Sequence, residues 1–299
     1  MYAVVMNVTD ETLPFAAKAA PLTPSWLRRP GRDTLENMAF FAGAAFMQLD
    51  DWQGRPEGAH ALFRARLSLD AASACLQYLG RPEQARDLRD ALAFLRPGDL
   101  PGPAGEVYLK WQQAVARPLS TKALVRVLPD VDPRHISAAM KPAQGSPLMR
   151  SATVLETALE DHQYAAYDAL MLADAVLAKA FGWQYLTPLF ARALRPVDVR
   201  KRGDALRLVC HQALTRAAID AAALASDLSL RATYLKGVAP KLRAKGAGQA
   251  VEMFLTRDAV APSALPLPDR AARRLCERLV DLGAVRELTG RSSFRLYGV

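Results

Sequence analysis

The sequence is poor in cysteine and histidine and lacks the common phosphate-binding and nucleophile motifs. Its three cysteines, Cys75, Cys210 and Cys276, are far apart and form no CxxC pair, which argues against a zinc site and against a disulfide framework. The four histidines form no HExxH pair, and no GxxxxGK[ST] loop, GxGxxG loop or GxSxG elbow occurs. These absences predict a protein without a cofactor, a metal ion or catalytic residues.

Long apolar runs are also missing. The longest, at residues 38–47, is about half the length that a membrane-spanning helix requires. The first residues lack the basic and apolar regions of a secretory signal, and each cysteine stands in an apolar helical context typical of a buried thiol. We therefore expect a soluble chain that has no membrane partner and works in the reducing cytoplasm.

What the chain has in abundance is helical periodicity. Of its 299 residues, 51% are hydrophobic and 23% are charged, which suits a globular protein with a sizeable core. Apolar residues recur at helical spacing along most of the chain, and strand-like alternation is nearly absent before residue 284. The predicted fold is mainly α, with an N-terminal arm at 1–32, an all-α multi-helix bundle at 33–245 and a C-terminal domain at 246–299.

Two stretches of the bundle carry specific predictions. Residues 151–182 are apolar over much of the helical circumference, which predicts a long helix at the centre of the bundle. Residues 203–228 and 231–245 are predicted to form two further helices.

The C-terminal domain has its own order of elements. A helix around residues 250–255 is followed by a short element at 263–265, which lies between prolines. Asp269 and Gly283 are then suited to be the N-cap and the C′ residue of a helix over 270–282. The helical spacing predicts a packing stripe on this helix, formed by Ala271, Leu275, Leu279 and Leu282 and widened by Ala272 and Cys276.

Two short alternating runs complete this domain. Residues 285–288 and 293–297 read as strands, and the turn at 289–292 between them contains a glycine, so we expect a β-hairpin. Helix, short helix, helix and β-hairpin is the order of a winged helix-turn-helix, which is the fold that we predict for this domain.

Basic residues are concentrated in the same region. Residues 241–299 hold eleven Lys/Arg and six Asp/Glu, so this fifth of the chain carries +5 of the formal net charge of +9. Seven arginines lie on the predicted helix and hairpin: Arg270, Arg273, Arg274, Arg278, Arg286, Arg291 and Arg295. Because an α-helix fits the major groove and arginine binds phosphate and guanine, these residues predict binding to double-stranded DNA, with Arg291 at the tip of the wing.

Two other interpretations of the basic surface stay open. A basic helix face with Glu277 and Asp281 nearby is also typical of a solvated surface with i,i+4 ion pairs. Winged helices also serve as docking modules for proteins. A second basic cluster either is a solvated connection between helices or extends a DNA footprint, and it comprises Arg192, Arg195, Arg200, Lys201 and Arg202.

One group of residues suggests an enzyme instead. His162 follows Asp161, and Asp161, Asp168 and, less well, Asp174 are spaced so that they can share a helical side, as an acid–base or metal site requires. However, carboxylates at a helix opening are also what the helix dipole favours. We therefore predict that the protein is not an enzyme.

Three stretches resemble a bacterial family of unknown function, DUF1403. They read LRDALAFLRPGDLPGPAGEVYLKW at 88–111, DALMLADAVLAKAFGW at 168–183 and DRAARRLCERLVDLGAVRELTGRSSFRLYGV at 269–299. The resemblance implies an α-helical bacterial protein, of a family often encoded near mobile or plasmid-borne genes. It carries over no catalytic residues.

These observations together predict a cytoplasmic DNA-binding protein that acts as a transcriptional regulator or as a factor associated with a plasmid or mobile element. The alternative is a helical protein-interaction scaffold whose winged helix docks a protein partner. In either case the bundle is available for partner docking or for pairing with a second copy of the chain as a homodimer.

Overall fold

A computed structural model describes residues 23–28, 34–81, 83–93, 95, 98–160, 164–242, 245–289 and 294–299. Within these ranges the chain forms thirteen α-helices and two short strands, so the fold is mainly helical, as predicted. The helices are α1 Ser25–Arg28, α2 Leu35–Gln53, α3 His60–Leu76, α4 Ala85–Ala93, α5 Gly102–Ala116, α6 Thr121–Val127, α7 Pro133–Ala139, α8 Pro147–Glu160, α9 Ala166–Phe181, α10 Phe190–Ala193, α11 Gly203–Val238, α12 Ala247–Thr256 and α13 Asp269–Asp281. The strands are β1 Arg286–Glu287 and β2 Tyr297–Gly298.

The centre of the molecule is α9. Its residues 168–178 are buried without interruption, because the helix is apolar over most of its circumference and is surrounded by other elements. The predicted single helix over 151–182 is instead two helices, α8 and α9, which pack against each other. The second of these helices, α9, occupies the central position that was predicted for the whole stretch.

For α11 the sequence predicted two helices where the structure has one. This helix runs over 36 residues, and it packs along α2. The break predicted near residue 229 does not occur, because Leu228, Ala232 and Leu235 continue the buried stripe across it. The Ser229 hydroxyl donates to the Ala225 carbonyl, 2.7 Å away, one turn earlier in the same helix. The helix ends at Val238, where the 3-10 turn Ala239–Lys241 contains a proline, and therefore not at residue 245 as predicted.

The N-terminal arm predicted at 1–32 lies mostly outside the described residues. Its described part contains α1, where Leu27 is buried and Trp26 contacts the rings of Phe40 and Phe41 on α2. Among the described helices, none has the length and apolar character that crossing a membrane would require.

A small sheet follows α13. Strands β1 and β2 are antiparallel, with Glu287 opposite Tyr297. Tyr297 also exchanges two backbone hydrogen bonds with Val260, at 2.8 and 3.0 Å, so it lies between β1 and the segment that follows α12. This third segment was not expected from the sequence, because no alternation marks residues 257–261.

The predicted hairpin is confirmed only in part. The second strand was expected at 293–297, but it begins at Tyr297. The Thr289 hydroxyl donates to the Phe294 carbonyl at 3.0 Å and accepts from the Leu296 amide at 3.3 Å, so it occupies backbone groups that a longer ladder would pair. Residues 290–293, which hold most of the predicted turn, lie outside the described residues.

Side chains from three helices hold the C-terminal segment in place. The Asp258 carboxylate, which is 5% exposed, lies 2.5 Å from the Nε atom of Arg66 on α3 and 2.5 Å from that of Arg89 on α4. On α11, the Tyr234 hydroxyl donates to the carbonyl of Leu282 at the end of α13, at 2.7 Å. These contacts fix the orientation of α13 and β2 relative to the bundle. The boundary at residue 246 stays a prediction.

Candidate nucleic-acid interface

Helix α13 has two distinct faces. Ala272, Leu275, Cys276 and Leu279 are buried, which agrees with the apolar stripe expected from their spacing. Burial raises the pKa of the Cys276 thiol to about 12, so this thiol stays protonated and packs as a small apolar group.

The opposite face of α13 is cationic and open to solvent. Arg270, Arg273, Arg274 and Arg278 are all exposed. None of them forms an ion pair with a residue that the structure describes. In particular, Glu277 lies four residues after Arg273, but the two side chains are not paired. The i,i+4 ion pairs of a self-neutralised surface are therefore not made on this face.

The order of charges along α13 is unfavourable for the helix itself. Arg270, Arg274 and Arg278 follow one another at intervals of four residues, and like charges at this spacing destabilise a helix by about 0.2–0.5 kcal/mol per pair. No described carboxylate forms an ion pair with these three arginines. A row of mutually repelling cations is suited to an anionic partner that lies along the helix.

The ends of α13 are defined by its neighbours in sequence. Gly283 has a φ of 66° and stands at C′, as predicted. Its amide donates to the Val280 carbonyl at 2.8 Å and the Ala284 amide donates to the Leu279 carbonyl at 2.9 Å, which is a Schellman motif. Asp269 is not the N-cap that we expected, because Pro268 occupies that position and Asp269 is the first helical residue.

The hairpin arginines differ from those of the helix. Arg286 is exposed on β1. Arg295 lies 3.7 Å from the Glu287 carboxylate, and a hydrogen bond with Tyr297, followed by the charge of Glu287, raises the pKa of its guanidinium. Arg291 lies outside the described residues.

One cleft brings the helix and the hairpin together. Arg273 from α13 and Arg295 from the hairpin both line a cavity of about 370 Å³. Its other walls include Asp269, Glu277 and Tyr297. The structure thus places one arginine from each predicted group at a common surface.

The element between α12 and α13 is short. The short element predicted at 263–265 is found as a 3-10 turn, Pro262–Ala264, and Leu265 follows it as the C-cap residue. Pro262, Pro266 and Pro268 have no amide hydrogen to donate, which limits how far a helix can extend here.

The carboxylates considered for catalysis have separate partners. The Asp168 carboxylate lies 2.5 Å from the Lys110 ammonium. Asp174 accepts from the backbone amides of Leu189, Phe190 and Ala191 at 2.8, 2.8 and 3.3 Å, where α10 begins. Burial raises the pKa of Asp174 to about 7, and these amides act in the opposite direction. Both carboxylates therefore hold helices together.

The other two residues of that group, Asp161 and His162, are outside the described residues. In the part of the chain that the structure describes, no three His, Cys, Asp or Glu side chains are grouped closely enough to hold a metal ion.

The second basic cluster is mostly occupied by internal contacts. Arg195 and Lys201 pair with Asp198 at 3.1 and 3.3 Å, and Arg192 pairs with Asp70 at 3.5 Å. Arg202 donates to two backbone carbonyls of the same turn. These contacts favour the interpretation of this cluster as a connection between helices.

Sequence reasoning missed the residues that position α13. Asp258 lies in a loop without periodicity, and Arg89 is 169 residues away in sequence. No local pattern connects such residues, and the only available signal was an acidic residue beside the apolar segment at 259–261.

The described elements define a class of mainly α-helical protein with a small antiparallel sheet near its C-terminal end. The chain belongs to the family DUF1403, described as "Protein of unknown function", whose model matches residues 14–299. This match confirms the resemblance that the three sequence stretches indicated. A comparison with curated proteins gave no match.

Proposed function

We propose that the chain is a cytoplasmic DNA-binding protein and that α13 is its recognition helix. The observation that carries this proposal is the exposed row of four arginines on α13 without carboxylate partners among the described residues. A helix of 13 residues is about 20 Å long, which is suited to the major groove. Arginine contributes bonds to phosphate oxygens and bidentate bonds to guanine.

We further propose that the segment from α12 to β2 is a winged helix-turn-helix with a shortened middle element. In winged helices the hairpin follows the recognition helix. The last strand of the hairpin also pairs with the segment that connects the first helix to the middle helix. The pairing of Tyr297 with both Glu287 and Val260 supports this assignment. The 3-10 turn Pro262–Ala264 takes the place of the middle helix, and residues 290–293 would form the tip of the wing.

The test is binding of the full chain to a fluorescently labelled 30-base-pair duplex of mixed sequence, followed by fluorescence anisotropy. We expect the double variant Arg274→Glu/Arg278→Glu to abolish binding, because it reverses two charges that face the phosphates. The matched control is Lys122→Glu/Arg126→Glu, which reverses two exposed charges at the same i,i+4 spacing on α6. Binding that survives the α13 variant, or that both variants reduce equally, contradicts the proposal.

The alternative of a protein-docking winged helix predicts a different result. A protein partner that co-purifies with the tagged chain after nuclease treatment, and is lost from the α13 double variant, would favour the scaffold. If α13 binds DNA, nuclease treatment should remove whatever co-purifies through this face. Circular dichroism of each variant verifies that the helical content is unchanged.

A further inference from the structure

Arg64 on α3 lines two neighbouring cavities. The first, of about 750 Å³, is bounded by α3, α4, α5 and residues 256–264. The second, of about 740 Å³, is bounded by the end of α2, by residues 181–185 and by parts of α11 and α12. Arg64 lines both of them. Volumes of this size are typical of sites for small molecules.

The guanidinium of Arg64 is held in position by contacts with uncharged groups of the described residues. Its Nε atom donates to the Val115 carbonyl at 3.1 Å, and its Cζ atom lies over the Tyr185 ring, 3.8 Å from the ring centre. It makes no ion pair with any described carboxylate. The side chain is half-buried, and this burial lowers the pKa of Arg64. A partly buried cation without an anion favours binding of one.

The other charges at the first cavity are already compensated or fully solvated. Arg89 is paired with Asp258. Asp258 is the acidic residue of this lining, and it also pairs with Arg66. Arg257 is exposed at the rim. Arg64 is thus the cation of this cavity that is both half-buried and unpaired.

The uncharged side chains of the first cavity indicate the character of the rest of the ligand. Leu92, Leu109, Val115 and Val260 contribute apolar surface, and Tyr108 and Gln112 contribute polar groups beside it. We propose that the first cavity binds a small organic anion, with its acidic group on Arg64 and its apolar body against these side chains. The cavity shares residues 256–264 with the segment that carries α13, but the proposal does not rest on DNA binding, and its test uses no DNA.

The test uses two probes of similar shape, one anionic and one neutral: 8-anilinonaphthalene-1-sulfonate and N-phenyl-1-naphthylamine. We expect the full chain to bind the sulfonate at one saturable site with enhanced fluorescence. Arg64→Gln should weaken sulfonate binding by about tenfold or more, since bonds to charged groups are the stronger class. It should leave binding of the neutral probe unchanged, and Arg64→Lys should retain most of the sulfonate affinity.

Two further variants keep the test decisive. Ala116 is exposed at the rim of the cavity, so Ala116→Trp is expected to fold and to block both probes. Arg216 is exposed on α11 and is not part of the described lining, so Arg216→Gln changes the net charge equally and should have no effect. Sulfonate binding that Arg64→Gln or Ala116→Trp leaves at the wild-type level overturns the proposal. If Arg64→Gln does not fold, the Lys and Trp variants decide the result.

Discussion

The carboxylate of Asp258 lies 2.5 Å from the Nε atom of Arg89, although 169 residues separate the two in sequence. The pair is almost fully buried, and the guanidinium of Arg66 contacts the second carboxylate oxygen. Asp258 follows α12 directly and precedes Val260, which pairs with β2. This one carboxylate therefore connects the segment that carries α13 to the bundle.

Removing that carboxylate is expected to destabilise the protein strongly. Asp258→Asn leaves two guanidinium groups without their common counter-ion, and breaking a buried ion pair typically costs about 3–5 kcal/mol. The measurement is the free energy of unfolding from urea denaturation. The control is Asp51→Asn, which removes an exposed pair with Arg55 and should cost at most about 1 kcal/mol. Equal losses for the two variants would contradict this role of Asp258.

Asp174 is expected to be essential for the junction between α9 and α10. Asp174→Ala leaves three buried backbone amides without an acceptor, and each unsatisfied group costs about 1–3 kcal/mol. Asp174→Asn retains a carbonyl oxygen and should lose less. Thermal unfolding of the two variants checks this order. A loss from Asp174→Ala below about 1 kcal/mol would show that the amides find other acceptors.

His211 is expected to make stability depend on pH. It is 5% exposed, its Nδ1 atom has no hydrogen-bond partner among the described residues, and burial lowers its pKa below the ordinary 6.5. The neutral ring is therefore favoured in the folded state, so its contribution to stability is present above pH 6.5 and is lost as pH falls through the lowered folded value. We expect the advantage of wild type over His211→Gln in unfolding free energy to shrink between pH 7.5 and pH 5. An advantage that stays constant would rule out this linkage.

Two glycine substitutions are expected to change the stability of the protein in opposite directions. A Cβ atom on Gly298 would lie 2.6 Å from the Asp258 carbonyl oxygen, so Gly298→Ala should destabilise by about 1–3 kcal/mol. Gly43 lies within α2, and a Cβ there meets no atom within 4 Å, so Gly43→Ala should stabilise by about 0.5–1 kcal/mol. Melting temperatures of the two variants provide the comparison, and a destabilising Gly43→Ala would contradict it.

The helix α13 shows how far sequence reasoning extends. Its amphipathic spacing predicted both the buried stripe and the exposed arginines, and Gly283 predicted its end, because these properties depend on neighbours within two turns. The same local reasoning misplaced the start of β2, since the contacts of Thr289 with Phe294 and Leu296 depend on side-chain geometry. It also divided α11 at residue 229, because a serine there is compatible with either a break or a continuous helix.

The long-range contacts lay beyond such reasoning. Asp258 and Arg89, or Tyr234 and Leu282, come together only once the bundle has folded. Periodicity carries no information about which distant cation meets which acid. The candidate surface was therefore predictable residue by residue, whereas the contacts that hold it against the bundle were not.

The most direct test of the account is the salt dependence of duplex DNA binding by the wild type and by single Arg→Gln variants at 270, 273, 274 and 278. If α13 lies against phosphates, the logarithm of the binding constant should fall steeply and linearly with the logarithm of salt concentration. Each phosphate-contacting arginine that is replaced should reduce that slope by about one. The matched variant Arg126→Gln should leave the slope unchanged. Slopes that stay at the wild-type value in all four α13 variants would contradict the proposed role of this helix.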